Sequence, residues 1–205
     1  KAYFADFSKA LDFATMLYEA TLTLNSSIFG GTTIQLTDIQ INNELTIDLN
    51  GNQLILVAYL TVNGKLTVTD GSEDGEGSIY FVGPVGNYGT IVLNRATVEA
   101  YLQNREGALL YVNGAKFVDS NIDIEKADDF IVTKLIAEES DICLQDTELS
   151  DLFVSECYTV TDADNNPLVF TSSAYSGNFT IVHIGEVVEE YWLSDGFAHW
   201  HGCAT

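Results

Sequence analysis

One short motif recurs along the chain and restricts its fold more than any other feature. Ile39-Gln-Ile-Asn42-Asn-Glu-Leu-Thr-Ile47 reads like Leu60-Thr-Val-Asn63-Gly-Lys-Leu-Thr-Val68, and again like Leu110-Tyr-Val-Asn113-Gly-Ala-Lys-Phe-Val118 and Leu152-Phe-Val-Ser155-Glu-Cys-Tyr-Thr-Val160. Ile91-Val-Leu-Asn94-Arg-Ala-Thr-Val98 is a copy one residue short, and Phe130-Ile-Val-Thr133-Lys-Leu-Ile136 a weaker one. The turn residues at 42, 63, 94, 113, 133 and 155 are spaced by 21, 31, 19, 20 and 22. A near-constant period means one small unit stacked on itself, because a single copy cannot bury its own apolar face.

Within each copy apolar residues alternate with polar ones, and Val, Ile, Thr, Leu and Tyr dominate, so the unit consists of short strands. Asn or Asn-Gly at the turn tolerates the left-handed backbone of a tight corner. The long spacing contains Thr69-Asp-Gly-Ser-Glu-Asp-Gly-Glu-Gly-Ser78, read as a polar loop projecting from one turn of the stack. The period matches a leucine-rich repeat, but the Leu-x-x-Leu-x-Leu-x-x-Asn pattern is absent, and an antiparallel sandwich gives no reason for a constant period. The fold expected is all-β: a right-handed parallel β-helix of about six rungs. An N-terminal capping helix occupies 1–20, the β-helix 21–170, and closing strands with an irregular tail 171–205. Phe4, Phe7, Ala10, Leu11, Ala14 and Leu17 carry the helical spacing of that cap, which would cover the exposed end of the sheet.

Composition bounds the function. The chain has 30 acidic residues against 8 basic ones, a formal net charge of -22. With Arg95 and Arg105 its only arginines, it offers no basic patch for nucleic acid or an anionic membrane. No apolar run approaches the ~20 residues of a membrane span. Three cysteines, Cys143, Cys157 and Cys203, are too few for a disulfide framework; Cys143 and Cys157 are able to pair in an oxidising compartment, which leaves Cys203 over. A start at Lys1, without methionine, reads as a mature or excised fragment.

Leu45-Thr-Ile-Asp-Leu-Asn-Gly-Asn-Gln-Leu54 follows a helix-like Phe7–Ala14 and a strand Ala20–Asn25. That order resembles the opening of pectin-lyase-like β-helix domains in large secreted surface proteins of bacteria, over roughly residues 4 to 160. Phe197-Ala-His-Trp-His-Gly-Cys203 resembles a short element between modules of similar surface proteins. The resemblance implies a secreted or cell-surface module of a longer multi-domain chain. It does not specify function, because one scaffold hosts lyases, hydrolases, adhesins and inert stalks.

For chemistry, lyases of this fold need calcium on carboxylates and an Arg or Lys base, and neither arginine stands out. Asp128-Asp129 is the one paired-aspartate site, and neighbours on a strand point to opposite faces, so a solvated turn is the plainer reading. Two segments are able to collect oxygen ligands for Ca²⁺: Asp70, Glu73, Asp74 and Glu76 in the glycine-rich loop, and Asp162 and Asp164 with Asn165 and Asn166. Polar loops without metal are the plainer reading of both. His199, His201 and Cys203 have the spacing of an incomplete zinc site, with a frayed terminus as the alternative.

Aromatic side chains are the natural contacts for sugars and protein partners. Tyr59, Tyr80, Tyr88, Tyr101, Tyr111, Tyr191, Trp192 and Trp200 are candidates, and Tyr80, Phe81 and Tyr88, which flank the acidic loop, are preferred. The function expected is a non-catalytic extracellular adhesion or spacer module, presenting a β-helix face to a glycan or a host or cell-surface protein. The alternative is a polysaccharide lyase or glycoside hydrolase.

Overall fold

The computed structural model describes residues 2–28, 38–184, 192–194 and 199–201. The chain begins with α1 (Phe7–Thr15), then β1 (Glu19–Thr23), β2 (Asp38–Ile41), β3 (Glu44–Asp48), β4 (Gln53–Leu56), β5 (Tyr59–Val62), β6 (Lys65–Thr69) and β7 (Ser78–Phe81). It continues through β8 (Val85–Asn87), β9 (Thr90–Asn94), β10 (Thr97–Glu99), β11 (Tyr101–Asn104), β12 (Leu109–Val118), β13 (Asn121–Ile124) and β14 (Phe130–Leu144). After α2 (Leu149–Leu152) come β15 (Tyr158–Asp162), β16 (Ala174–His183), β17 (Trp192–Ser194) and β18 (His199–His201).

Strands form because apolar and polar residues alternate. In β3, Leu45 and Ile47 are buried while Glu44, Thr46 and Asp48 face outward. The strands up to β14 pair in parallel, in three ladders. The first runs β1, β3, β6, β9, β12, β14, the second β2, β5, β8, β11, β13 and the end of β14, and the third β4, β7, β10 and the later part of β12. One hydrogen-bonded path leads up the first ladder to β14 and back down the second to β2, so the parallel sheet is curled on itself. Its interior is a set of in-register columns. Leu45, Leu66, Ile91, Leu110 and Phe130 form one, and Ile39, Leu60, Val85, Leu102, Ile122 and Ile142 another. Burying an aliphatic side chain of this size contributes roughly 1.5–3 kcal/mol, so such columns are the main source of stability.

Two inward positions are polar and satisfied. Asn87 and Asn104 lie in the column between Val62 and Ile124, and Asn87 Nδ2 donates to Asn104 Oδ1 at 2.6 Å and to the Leu109 carbonyl at 3.0 Å. Asn104 Nδ2 donates to the Ala108 carbonyl at 2.6 Å. At another corner, the hydroxyls of Ser120 and Ser140, 20 residues apart, accept from the backbone N–H of Ala100 and Ser120.

The repeat seen in the sequence is real but joins two different corners. Asn63 donates to Asn42 between the second and first ladders. Asn94 pairs with Asn113, whose side chain accepts from Thr133, between the first and third. Val62 pairs with Asn87 and Lys65 with Thr90, so the residue level with Asn63 is Tyr88. The spacing of 31 is thus one coil, from 63 to 88, plus the step from 88 to the next corner at 94. Gly114 has the expected left-handed backbone, φ +73°, whereas Gly64 is required for close approach: a Cβ there would sit 2.3 Å from the Asn43 carbonyl oxygen.

The copy at 152–160 is not a coil of the stack. Ser155 follows α2, and β15 pairs antiparallel with β16, which pairs antiparallel with β14. Alternation reports a strand but not the direction of its neighbour. At the other end α1 buries Phe7, Ala10, Leu11 and Ala14, while Phe4 and Leu17 are exposed. Cys143 carries a free thiol and Cys157 is disulfide-bonded, so these two cysteines do not pair with each other. No helix among the described residues is long and apolar enough to cross a membrane.

Candidate functional site

The acidic loop between β6 and β7 is held together by one carboxylate. Asp70 is buried; its Oδ1 accepts from the N–H of Gly51 at 2.8 Å and of Ser72 at 3.2 Å, and its Oδ2 from the Ser72 hydroxyl at 2.9 Å and the Gly77 N–H at 2.8 Å. Burial alone would raise its pKa, but these donors outweigh it and hold the carboxyl below its ordinary value. Its oxygens are therefore occupied by internal donors, while Glu73, Asp74 and Glu76 are exposed. Arg95 donates from its guanidinium to the Ser72 carbonyl at 3.0 Å and braces the same loop.

Asp162 organises its turn similarly, accepting from the N–H of Asp164 and Asn166 and from the Asn166 amide, which lowers its pKa. Among the described residues no three His, Cys, Asp or Glu side chains are gathered as a metal site. His199 and His201 lie in β18, paired with β17, and Cys203 lies outside the described residues.

The preferred aromatic trio does not share a surface. Phe81 belongs to the apolar core. Tyr80 is half-buried on the third ladder, between Ile55 and Glu99. Tyr88 is exposed at the corner of the second ladder. Alternation in Ser78-Ile-Tyr-Phe81 places Phe81 on the same inward side as Ile79, a signal present in the sequence.

The structure instead brings Tyr88 together with Tyr59 and Tyr101, 61% and 44% exposed, on the outward face of the second ladder. Leu60 and Leu102 both pair with Val85, so Tyr59 and Tyr101 lie two coils apart, with Pro84 level between them. Two residues further along, at the next outward level, Gly86 lies between Thr61 and Gln103. A Cβ on Gly86 would be 3.1 Å from Tyr88 Cε2, so the Tyr88 ring folds back over the glycine.

A hydrogen-bond relay fixes this face. Gln103 Nε2 donates to the Tyr101 hydroxyl oxygen at 2.8 Å, and Arg105 donates to Gln103 Oε1 and to Glu125 Oε1, each at 2.7 Å. The Arg105 guanidinium also lies 5.9 Å from the Tyr88 ring centre, within cation–π range. The Arg105 hydrogen bond, with the Glu106 N–H, lowers the Glu125 pKa, so the ion pair is charged at neutral pH. Side chains restrained in this way lose less rotamer freedom when a ligand docks. Tyr59-Leu-Thr-Val62 and Tyr101-Leu-Gln-Asn104 begin alike, which is the trace of this face in the sequence.

The groups considered for catalysis are committed elsewhere. Asp129 ends the short 3-10 turn Ala127–Asp129 and accepts from the Gly107 N–H at 2.6 Å. Burial, with the neighbouring carboxylates of Asp128, Glu106 and Asp146, raises its pKa. Arg95 braces a loop and Arg105 an ion pair. A cavity of about 490 Å³ near β15 is walled by Phe153, Tyr158, Leu168 and Phe170, with Glu156 as its one carboxylate. Compared with known proteins, the chain matches no family model, no curated protein and no solved structure.

Proposed function

We propose that the chain is a right-handed parallel β-helix of about six turns, with α1 laid over the first, acting as a non-catalytic extracellular binding or spacer module. It presents the outward face of the second ladder to a glycan or protein ligand. The single observation carrying this reading is the braced face of Tyr59, Tyr88 and Tyr101. Exposed aromatic rings on a rigid sheet supply flat apolar contact at low entropic cost, as sugars and protein partners both require.

The acidic balance favours solubility and argues against nucleic acid. The sequence resemblance to pectin-lyase-like modules supports membership of a longer surface protein. The engagement of Arg95, Arg105 and Asp129 in structural contacts supports binding over catalysis.

The test is a screen of the purified protein on plant, microbial and host glycans with calcium present, reading binding and released sugar ends together. Binding without cleavage is the expected result. Cleavage would overturn the reading in favour of a lyase or hydrolase, and silence on every glycan would move the ligand to the protein class.

A further inference from the structure

We infer that the face of Tyr59, Tyr88 and Tyr101 takes a neutral, extended β-1,4-linked glycan lying along the stack, across the strands. The inference rests on the binding-module reading and names its ligand class.

Spacing is the first argument. Tyr59 and Tyr101 occupy the same outward position two coils apart, so their backbones are separated by two strand spacings, about 9.6 Å. In an extended β-1,4-linked glycan successive sugars are flipped. The same sugar face therefore returns every second residue, at close to this distance. Two rings at that interval stack on sugars n and n+2. The intervening sugar passes over the middle coil, where Pro84 stands level between the two rings and the Tyr88 ring, folded back over Gly86, borders it.

Charge is the second argument. Tyr59, Thr61, Tyr101 and Gln103 surround Gly86 with neutral hydroxyl and amide groups, and Arg105 is paired with Glu125. The carboxylates of this face stand outside that interval: Asp38 on the coil before Tyr59, and Asp123 and Asp141 beyond Tyr101. In a chain of net charge -22, a neutral window bounded by acids favours hydroxyl-bearing sugars and repels uronates. Gln103 and Thr61 are placed to exchange hydrogen bonds with sugar hydroxyls.

The experiment is calorimetric titration of the whole chain with β-1,4-linked hexamers of glucose, mannose and N-acetylglucosamine, and with an oligogalacturonate of equal length. At least one neutral hexamer is expected to bind and the galacturonate to bind at least tenfold more weakly. A disaccharide of the binding series, too short to reach both rings, should lose at least tenfold. Tyr59→Ala and Tyr101→Ala should each lose at least tenfold, and Tyr18→Ala, exposed elsewhere, should match the wild type. Thermal melts of every variant show that it is folded.

Galacturonate binding as well as the neutral hexamers would overturn the ligand class, and binding unaffected by Tyr59→Ala and Tyr101→Ala would overturn the site. Both leave the module reading intact. No binding by any neutral hexamer, with another glycan captured in the wider screen, would overturn this inference alone. Silence in the titrations and in the wider screen would overturn both it and the glycan reading.

Discussion

Replacing Asp70 separates a structural carboxylate from a calcium ligand. In Asp70→Ala, four donors lose their acceptor: the N–H groups of Gly51, Ser72 and Gly77 and the Ser72 hydroxyl. Water reaches the partly buried Gly51 and Ser72 groups, so each of those bonds costs its modest net value. The buried Gly77 N–H is left unsatisfied at about 1–3 kcal/mol. Together the loss is about 5 kcal/mol, which for a chain of this size lowers the melting temperature by roughly 10–20 °C. Asp70→Asn keeps one oxygen and fails mainly at Gly77, so its melting temperature should fall by about a third to a half as much.

The pH dependence has a definite sign. The folded-state pKa of Asp70 is depressed, so its contribution is complete above the ordinary value of 3.8 and is lost as pH falls through the lower folded value. The gap between wild type and Asp70→Ala, measured by circular dichroism melts, should be widest at neutral pH and close in acid. Calcium and EDTA should give the same wild-type melting temperature. An unchanged melting temperature in Asp70→Ala would refute this reasoning. So would a calcium-dependent rise in the wild type that the variant lacks, because Asp70 would then be ligating metal.

Three further outcomes follow from the same contacts. Asn104→Leu removes the acceptor of Asn87 and the donor to the Ala108 carbonyl inside the stack, and urea unfolding should show a loss of about 2 kcal/mol. Asp129→Asn keeps an oxygen for the Gly107 N–H while removing a charge crowded by Asp128, Glu106 and Asp146. Since the folded-state pKa of Asp129 is raised, the wild type loses stability as pH rises through that range, and the variant should melt slightly higher at neutral pH but not in acid. Burial and the Asp123 carboxylate raise the Cys143 pKa, so its thiol should react with a maleimide more slowly than a free cysteine at mildly alkaline pH and catch up on unfolding.

Much of the architecture was legible in the chain, because stacking requires the same short-range pattern to return. The Asn42–Asn63 and Asn94–Asn113 pairs were visible as repeated turn residues. Which corner each turned was hidden, since a strand of the first ladder and one of the second end in the same apolar-x-apolar-Asn pattern. Phe81 lies near the acidic loop in the chain, but the alternation of its own strand turns it inward. The role of Asp70 could not be read locally: its donor at Gly51 lies 19 residues earlier, on the preceding coil. The tyrosine face was in the same position, for Tyr59 and Tyr101 become neighbours only once the register of β5, β8 and β11 is set.

That register is the central claim, and engineered cross-linking tests it most directly. Thr46 and Thr67 face outward as direct partners on adjacent strands, whereas Thr46 and Val92 are two strands apart. Adjacent strands bring Cα atoms to about 4.8 Å, inside the range a disulfide spans, while two spacings exceed it. Oxidised Thr46→Cys/Thr67→Cys should therefore yield the linked peptide by mass spectrometry, and Thr46→Cys/Val92→Cys should not. Efficient linkage in the second pair and none in the first would contradict the parallel stack and, with it, the tyrosine face.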